Sequence, residues 1–178
     1  MCSSDLRARD LDGAWKTLAP LREGGKSLPA FELLAGQLSA EMGKPQQAVE
    51  IYRAALRSNN SYRALVYAYL NQLVEMGRDR EALADLEDRL RIVQDDWRLY
   101  DIQARALEHA GLNVAQHRAL AEAYYRRGNL SAAVDQLEIA VKFKGSDFYE
   151  LSSAESRLRE LRAQLEVQRA AEKALNIS

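Results

Sequence analysis

Glu41-Met42-Gly43-Lys44-Pro45, Glu75-Met76-Gly77-Arg78-Asp79 and His109-Ala110-Gly111-Leu112-Asn113 repeat one kind of turn three times, with the glycines 34 residues apart. Each glycine ends a run with helical periodicity and is followed by a second helical run rich in alanine and leucine. A unit of that length cannot bury its apolar face alone, so successive copies stack and each touches only its neighbours. The expected product is a stack of helical hairpins. Such a stack offers a groove for another polypeptide rather than a catalytic pocket.

The spacing is that of the tetratricopeptide repeat (TPR), and positions counted from each glycine support it. Seven residues before the glycine, where two helices cross closely, stand Gly36, Leu70 and Ala104; five after it, at the other tight crossing, stand Ala48, Ala82 and Gln116. Small side chains let backbones approach, so Leu70 and Gln116 predict looser packing in the middle and third hairpins. Nine residues past the glycine, Tyr52, Leu86 and Leu120 are of a size to fill the space between neighbouring hairpins.

Leu11, Ala14, Trp15, Leu18 and Leu21 share one face of a helix that is expected to end near Gly24-Gly25. Pro29 opens the next helix, whose predicted buried stripe is Phe31, Leu34, Ala35 and Leu38. Asn59-Asn60-Ser61 and Asp95-Asp96 supply polar caps for helices beginning near Tyr62 and Trp97. Stepping 34 residues back from Gly43 reaches Arg9, with Ala14 five further on. The chain is therefore expected to start inside a repeat, after a missing upstream portion and a non-native or disordered start at residues 1–10.

The period breaks once. Gly128 lies 17 residues after Gly111, yet Ala133 and Leu137 follow it at the expected offsets. One helix, from about Val114 to Arg127, must then serve both as the second helix of one hairpin and as the first of the next. After Lys144-Gly145, Asp147-Phe148-Tyr149-Glu150 reads as a capping box. A long helix should follow, with Leu151, Ala154, Leu158, Leu161 and Leu165 as its apolar stripe and its last turns frayed beyond about Gln168. The fold class is all-α: a TPR-type α-solenoid over residues 11–145, with one shared helix, closed by a C-terminal capping helix over residues 146–178.

Composition narrows function. Twenty-five basic residues balance 26 acidic ones, so no field favours nucleic acid or an anionic membrane. The single cysteine, Cys2, allows no internal disulfide, no apolar run is long enough to span a membrane, and the first residues lack the apolar core of a signal peptide. His109 and His117 do not form an H-E-x-x-H zinc pair, and no phosphate-binding glycine loop is present. No catalytic, cofactor or metal residue is expected on this chain. The candidate is a surface: Tyr67 and Asn71 from the second hairpin, Arg98, Asp101, Arg105 and Glu108 from the third, and Arg118, Glu122, Tyr125 and Arg126 from the shared helix. Mixed charge with two tyrosines suits a peptide groove. The lysine and asparagine clamp with which some TPR domains hold acidic chaperone tails is absent, its positions here including Leu33, Gln37 and Ala68.

The run His117-Arg118-Ala119-Leu120-Ala121-Glu122-Ala123-Tyr124-Tyr125-Arg126-Arg127-Gly128-Asn129-Leu130, continued by Ala132 to Glu138 and by Asp147-Phe148-Tyr149, resembles the C-terminal TPR domain of periplasmic zinc metallopeptidases of the β-barrel assembly-enhancing protease type. Glu155, Arg157 and Leu158 match the Glu-x-Arg-Leu element of its closing helix, while Leu151 and Ser153 stand where arginines are frequent. The resemblance implies a periplasmic location, zinc held only in an upstream protease domain, and a scaffold that docks that protease onto barrel-assembly machinery or unfolded outer-membrane clients. The alternative is a free-standing TPR adaptor or assembly factor without a protease domain.

Overall fold

The computed structural model describes residues 10–23, 28–143 and 147–175, and these form nine α-helices. The expected non-native start, the helix end at Gly24-Gly25 and the break at Lys144-Gly145 lie outside the described residues, Asp10 apart. The chain forms two compact units, Met1–Met76 and Gly77–Ser178.

The turns that set the period share one backbone device. Gly43, Gly77, Gly111 and Gly128 have φ of +75°, +69°, +70° and +77°, a left-handed conformation that costs other residues about 1 to 2 kcal/mol. After Gly111 the Leu112 N–H donates to Leu107 O at 3.0 Å, while Gly111 N–H donates to Glu108 O at 3.0 Å. That pair of bonds satisfies carbonyls the helix end would leave open and turns the chain sharply into the next helix. Gly43 and Gly128 close their helices in the same way, through Lys44 to Ser39 and Asn129 to Tyr124.

The first unit holds α1 (Leu11–Glu23), α2 (Pro29–Glu41), α3 (Pro45–Leu56) and α4 (Arg63–Glu75). Helix α1 packs only on α2. One neighbour covers a narrow stripe, so Leu18 is buried and Leu11 and Trp15 partly so, whereas Ala14 and Leu21, expected on the same face, are exposed. Leu34 of α2, predicted buried, is also exposed, and the α2 core is Ala35, Gly36, Leu38 and Ser39. Arg22 ties α1 to α2 through Glu32 at 2.7 Å.

Where α2 crosses α3, a Cβ on Gly36 would stand 2.1 Å from Tyr52 Cε1. The tight crossing predicted at this position is real, and Tyr52 fills it at 2% exposure. The α4 cap differs from expectation. Tyr62 occupies the N-cap with no side-chain cap bond, and Asn59 instead donates to Ala55 O, on the preceding helix, at 3.1 Å.

The second unit holds α5 (Asp79–Ile92), α6 (Trp97–His109), α7 (Asn113–Arg126), α8 (Leu130–Ala140) and α9 (Phe148–Leu175). Asp96 caps α6 by accepting from Arg98 N–H at 3.2 Å, and Asp147 caps α9 by accepting from Tyr149 N–H at 2.8 Å. Helix α7 packs on α6, α8 and α9, which is the double duty its sequence required. Against α6, Ala119 joins Ala104 and Leu107; against α8 and α9, Ala121 joins Ala133, Leu137, Ala154, Leu158 and Leu161. Partly buried Gln116 does not prevent the third hairpin from closing, because Ala115 and Ala119 supply small side chains beside it.

Helix α9 remains helical through Leu175, past the expected fraying at Gln168. Its stripe Ala154, Leu158, Leu161 and Leu165 is buried, while Phe148, Tyr149, Val167 and Leu175 stay exposed. No described helix is long and apolar enough to cross a membrane.

Two glycines should respond differently to a methyl group. At Gly111 no atom lies within 4 Å of a built Cβ, so Gly111→Ala should cost only the backbone term of about 1 to 2 kcal/mol. Gly36→Ala must displace Tyr52 and should cost more, by urea denaturation of both variants.

Burial, helped by the negative charge of Glu75, pushes the Tyr52 phenol up to about 12. Its folded value lies above the unfolded value of 10.0. The stabilisation it gives is therefore complete below pH 10 and lost as pH rises towards 12, about 3 kcal/mol in all. Tyr52→Phe should lose correspondingly less stability than the wild type between those two pH values.

Candidate protein-binding cleft

In the second unit α6 and α7 run side by side, and α9 packs on α7 and α8. Between them lies a cleft of about 330 Å³. Helix α6 lines it with Tyr100, Gln103 and Leu107, spaced three and four apart on one face, and α7 with Ala115, Arg118, Ala119 and Glu122. Leu137 of α8 completes an apolar floor with Leu107 and Ala119, and α9 contributes Ser153 and Arg157.

One end of the cleft is held by a charged and aromatic network. Glu122 accepts from Arg157 Nε at 2.7 Å and Nη2 at 3.1 Å, and also pairs with Arg126 one turn along α7. Arg157 pairs with Glu160 at 2.7 Å. The Arg157 guanidinium lies 4.7 Å from the Tyr125 ring centroid, and that of Arg126 lies 4.7 Å from the Tyr100 ring. Such cation–π contacts are worth about 0.5 to 2 kcal/mol depending on burial.

Partial burial acts to lower the Arg157 pKa, but hydrogen bonds and charge from Glu122 and Glu160 outweigh it and raise the value. Burial raises the Tyr100 phenol, with Arg126 opposing and Glu122 assisting, so the hydroxyl stays protonated at neutral pH and available as a donor. Glu122 thus joins α7 to α9, while Arg162 joins α9 to Glu138 of α8 at 2.7 Å.

Arg118 differs from its neighbours. It lines the middle of the cleft, partly buried, and makes no ion pair or hydrogen bond with any described residue. Every other charged group in the cleft is neutralised by an opposite charge, so Arg118 leaves the cleft with an uncompensated positive charge beside apolar surface.

Of the sequence candidates, α7 brings Arg118, Glu122, Tyr125 and Arg126 together, with Arg118 and Glu122 in the cleft wall and Tyr125 and Arg126 behind it. Arg98, Asp101, Arg105 and Glu108 lie on another face of α6, roughly 150° round the helix at about 100° per residue, and do not line the cleft. Arg98 instead covers the Trp97 ring at 4.6 Å. Tyr67 and Asn71 are partly buried on α4 in the first unit.

Tyr100, Gln103, Ser153 and Arg157 line the cleft without having been expected there. Tyr100, Gln103 and Leu107 carry a helical spacing that marks them as a common face, but only α9 makes that face a wall. His109 lies 3.1 Å from Asp79, and His117 lies 2.8 Å from Gln136 and stacks on Phe143 at 5.5 Å. No cluster of three potential metal ligands occurs among the described residues.

The chain has the TPR fold. A solved structure described as a MamA RS-1 ArsTM double mutant superposes with a TM-score of 0.60 at 18% identity, covering 91% of this chain and 90% of that one. A tetratricopeptide repeat protein from Parabacteroides merdae superposes with a TM-score of 0.56 at 17% identity, over 90% of this chain and 68% of that one. At these identities the likeness is one of fold. No protein-family model matches the sequence, and no curated protein does.

Removing the α7–α9 bridge should loosen the cleft. Glu122→Gln is expected to cost about 1.5 to 3 kcal/mol, the worth of a hydrogen bond to a charged group, and to speed amide exchange over residues 148–165 before that of α6. Equal exchange in both proteins would show that apolar packing alone holds α9.

Proposed function

We propose that this chain is a protein-binding TPR scaffold that holds an extended stretch of another polypeptide in the α6–α7–α9 cleft, and that it serves as the C-terminal module of a periplasmic zinc metallopeptidase in outer-membrane protein assembly. The observation that carries the binding role is the cleft itself: apolar floor, neutral hydroxyl and amide groups, and one unneutralised cation. This is the mixture of apolar contact and few directional polar groups that peptide recognition uses. What supports the finer assignment is the family-like run from His117 to Glu138 with Asp147-Phe148-Tyr149, whose irregular feature is a helix shared between two hairpins. On this reading zinc and catalysis reside outside residues 1–178, and clients are barrel-assembly components or unfolded outer-membrane proteins.

Two experiments separate the claims. The coding sequence upstream of residue 1 is expected to encode a helix with H-E-x-x-H; an upstream sequence without it removes the protease assignment and leaves a free-standing adaptor. A photo-crosslinking amino acid at Gln103 should capture a denatured outer-membrane barrel protein diluted from urea, whereas the same group at exposed Glu87 of α5 should not. Equal capture at both positions would reject the cleft as the binding surface.

A further inference from the structure

We infer that the cleft selects an acidic side chain in the interior of an extended peptide, read by Arg118. This deepens, and rests on, the protein-binding role proposed above.

The lining of the cleft restricts the form of the ligand. Leu107 and Ala115 offer apolar surface towards one end, and Tyr100, Gln103 and Ser153 offer hydrogen-bonding groups towards the other. A helix keeps its backbone N–H and C=O groups bonded to itself, whereas an extended segment leaves them open to these groups.

The charge pattern selects its chemistry. Glu122 is engaged by Arg126 and Arg157, and Arg157 also by Glu160. Arg118 faces the cleft with no partner among the described residues, and its planar fork of donors matches a carboxylate with two parallel hydrogen bonds. A partly buried site strengthens that attraction relative to open water.

Position along the cleft selects the source of the carboxylate. On α7, Arg118 stands between Ala115 and Glu122; antiparallel to it, α6 presents Leu107 at the Ala115 end and Tyr100 at the Glu122 end. Lining groups therefore continue on both sides of Arg118. The Leu107–Ala115 end takes an apolar side chain, and Tyr100, Gln103 and Ser153 offer hydrogen bonds to peptide groups that continue past the acid. A chain terminus would leave one of these ends unused, so a side-chain carboxylate is the better match.

The test uses the full chain and three pools of heptapeptides with alanine, serine, leucine and valine at the flanking positions. All are acetylated at the N-terminus. The first pool has a central glutamate and an amidated C-terminus, the second a central glutamine and an amidated C-terminus, and the third a central glutamine and a free C-terminal carboxylate. By fluorescence anisotropy the glutamate pool should bind about tenfold or more tightly than either other pool, the scale of one charge-assisted pair. Arg118→Gln should remove that preference while melting like the wild type, and Arg118→Lys should retain part of it as a point charge without the fork; should the glutamine variant melt early, the lysine variant carries the comparison.

Equal binding of the glutamate and glutamine pools would overturn the inference while leaving a peptide cleft in place. Preference for the free C-terminus, or a preference unchanged in both Arg118 variants, would also overturn it. Binding of none of the pools would reject both the inference and the cleft as a peptide site.

Discussion

The second unit depends on α7 being buried on more than one side. A helix covered by one neighbour keeps a single apolar stripe, but α7 must fit α6, α8 and α9 at once. Its answer is alanine: Ala119 enters the cluster with Ala104 and Leu107, Ala121 the one with Leu137 and Leu161, and Ala123 is buried as well. Short side chains let three helices approach one backbone without overpacking. The left-handed glycines just before and just after α7, Gly111 and Gly128, turn the chain at both ends so that each neighbour returns alongside.

Close approach is made at the alanines of α7, and its arginines and glutamate share one edge with Tyr125. Arg118, Glu122, Tyr125 and Arg126 follow a three-to-four spacing along the helix. The shared helix thus makes the cleft in two ways, by drawing α6 and α9 close enough to form walls and by concentrating polar groups where the walls meet. Within that edge Glu122 works as an internal counter-ion. By pairing with both Arg126 and Arg157 it cancels charge that would compete with Arg118 and fixes the aromatic rings beneath them.

The sequence made the turns, the shared helix and the buried stripe of α9 legible, because each rests on local information: a glycine at a fixed offset, a half-step in the period, an acidic cap with leucines at helical spacing. Ala14 and Leu21 were misplaced for the opposite reason. Periodicity says that a helix has an apolar side but not how many neighbours cover it, and α1 packs on only one helix. Asn59 was assigned to the wrong helix because its amide bonds equally well to a carbonyl behind it as to an N–H ahead. The place of Tyr100, Gln103, Ser153 and Arg157 in one cleft is not legible in the sequence because their proximity is tertiary: no spacing within α6 or α9 states that the two helices flank the same stretch of α7.

Helix α9 therefore does more than cover the end of a stack. A terminal helix needs only an apolar inner face and a polar outer one, and most of α9 conforms. Ser153 and Arg157 depart from that division, since they lie one helical turn apart beside the buried Ala154 and Leu158 yet point polar groups into the cleft. The core residues hold α9 down and set which face turns inward, whereas the Glu122–Arg157 and Glu138–Arg162 pairs fix its register on α7 and α8. Burial has no direction and tolerates sliding; a two-pronged ion pair does not. The shape of the cleft is consequently governed by a polar contact that contributes less than the apolar core beneath it, and a substitution there can alter recognition while the core stays packed.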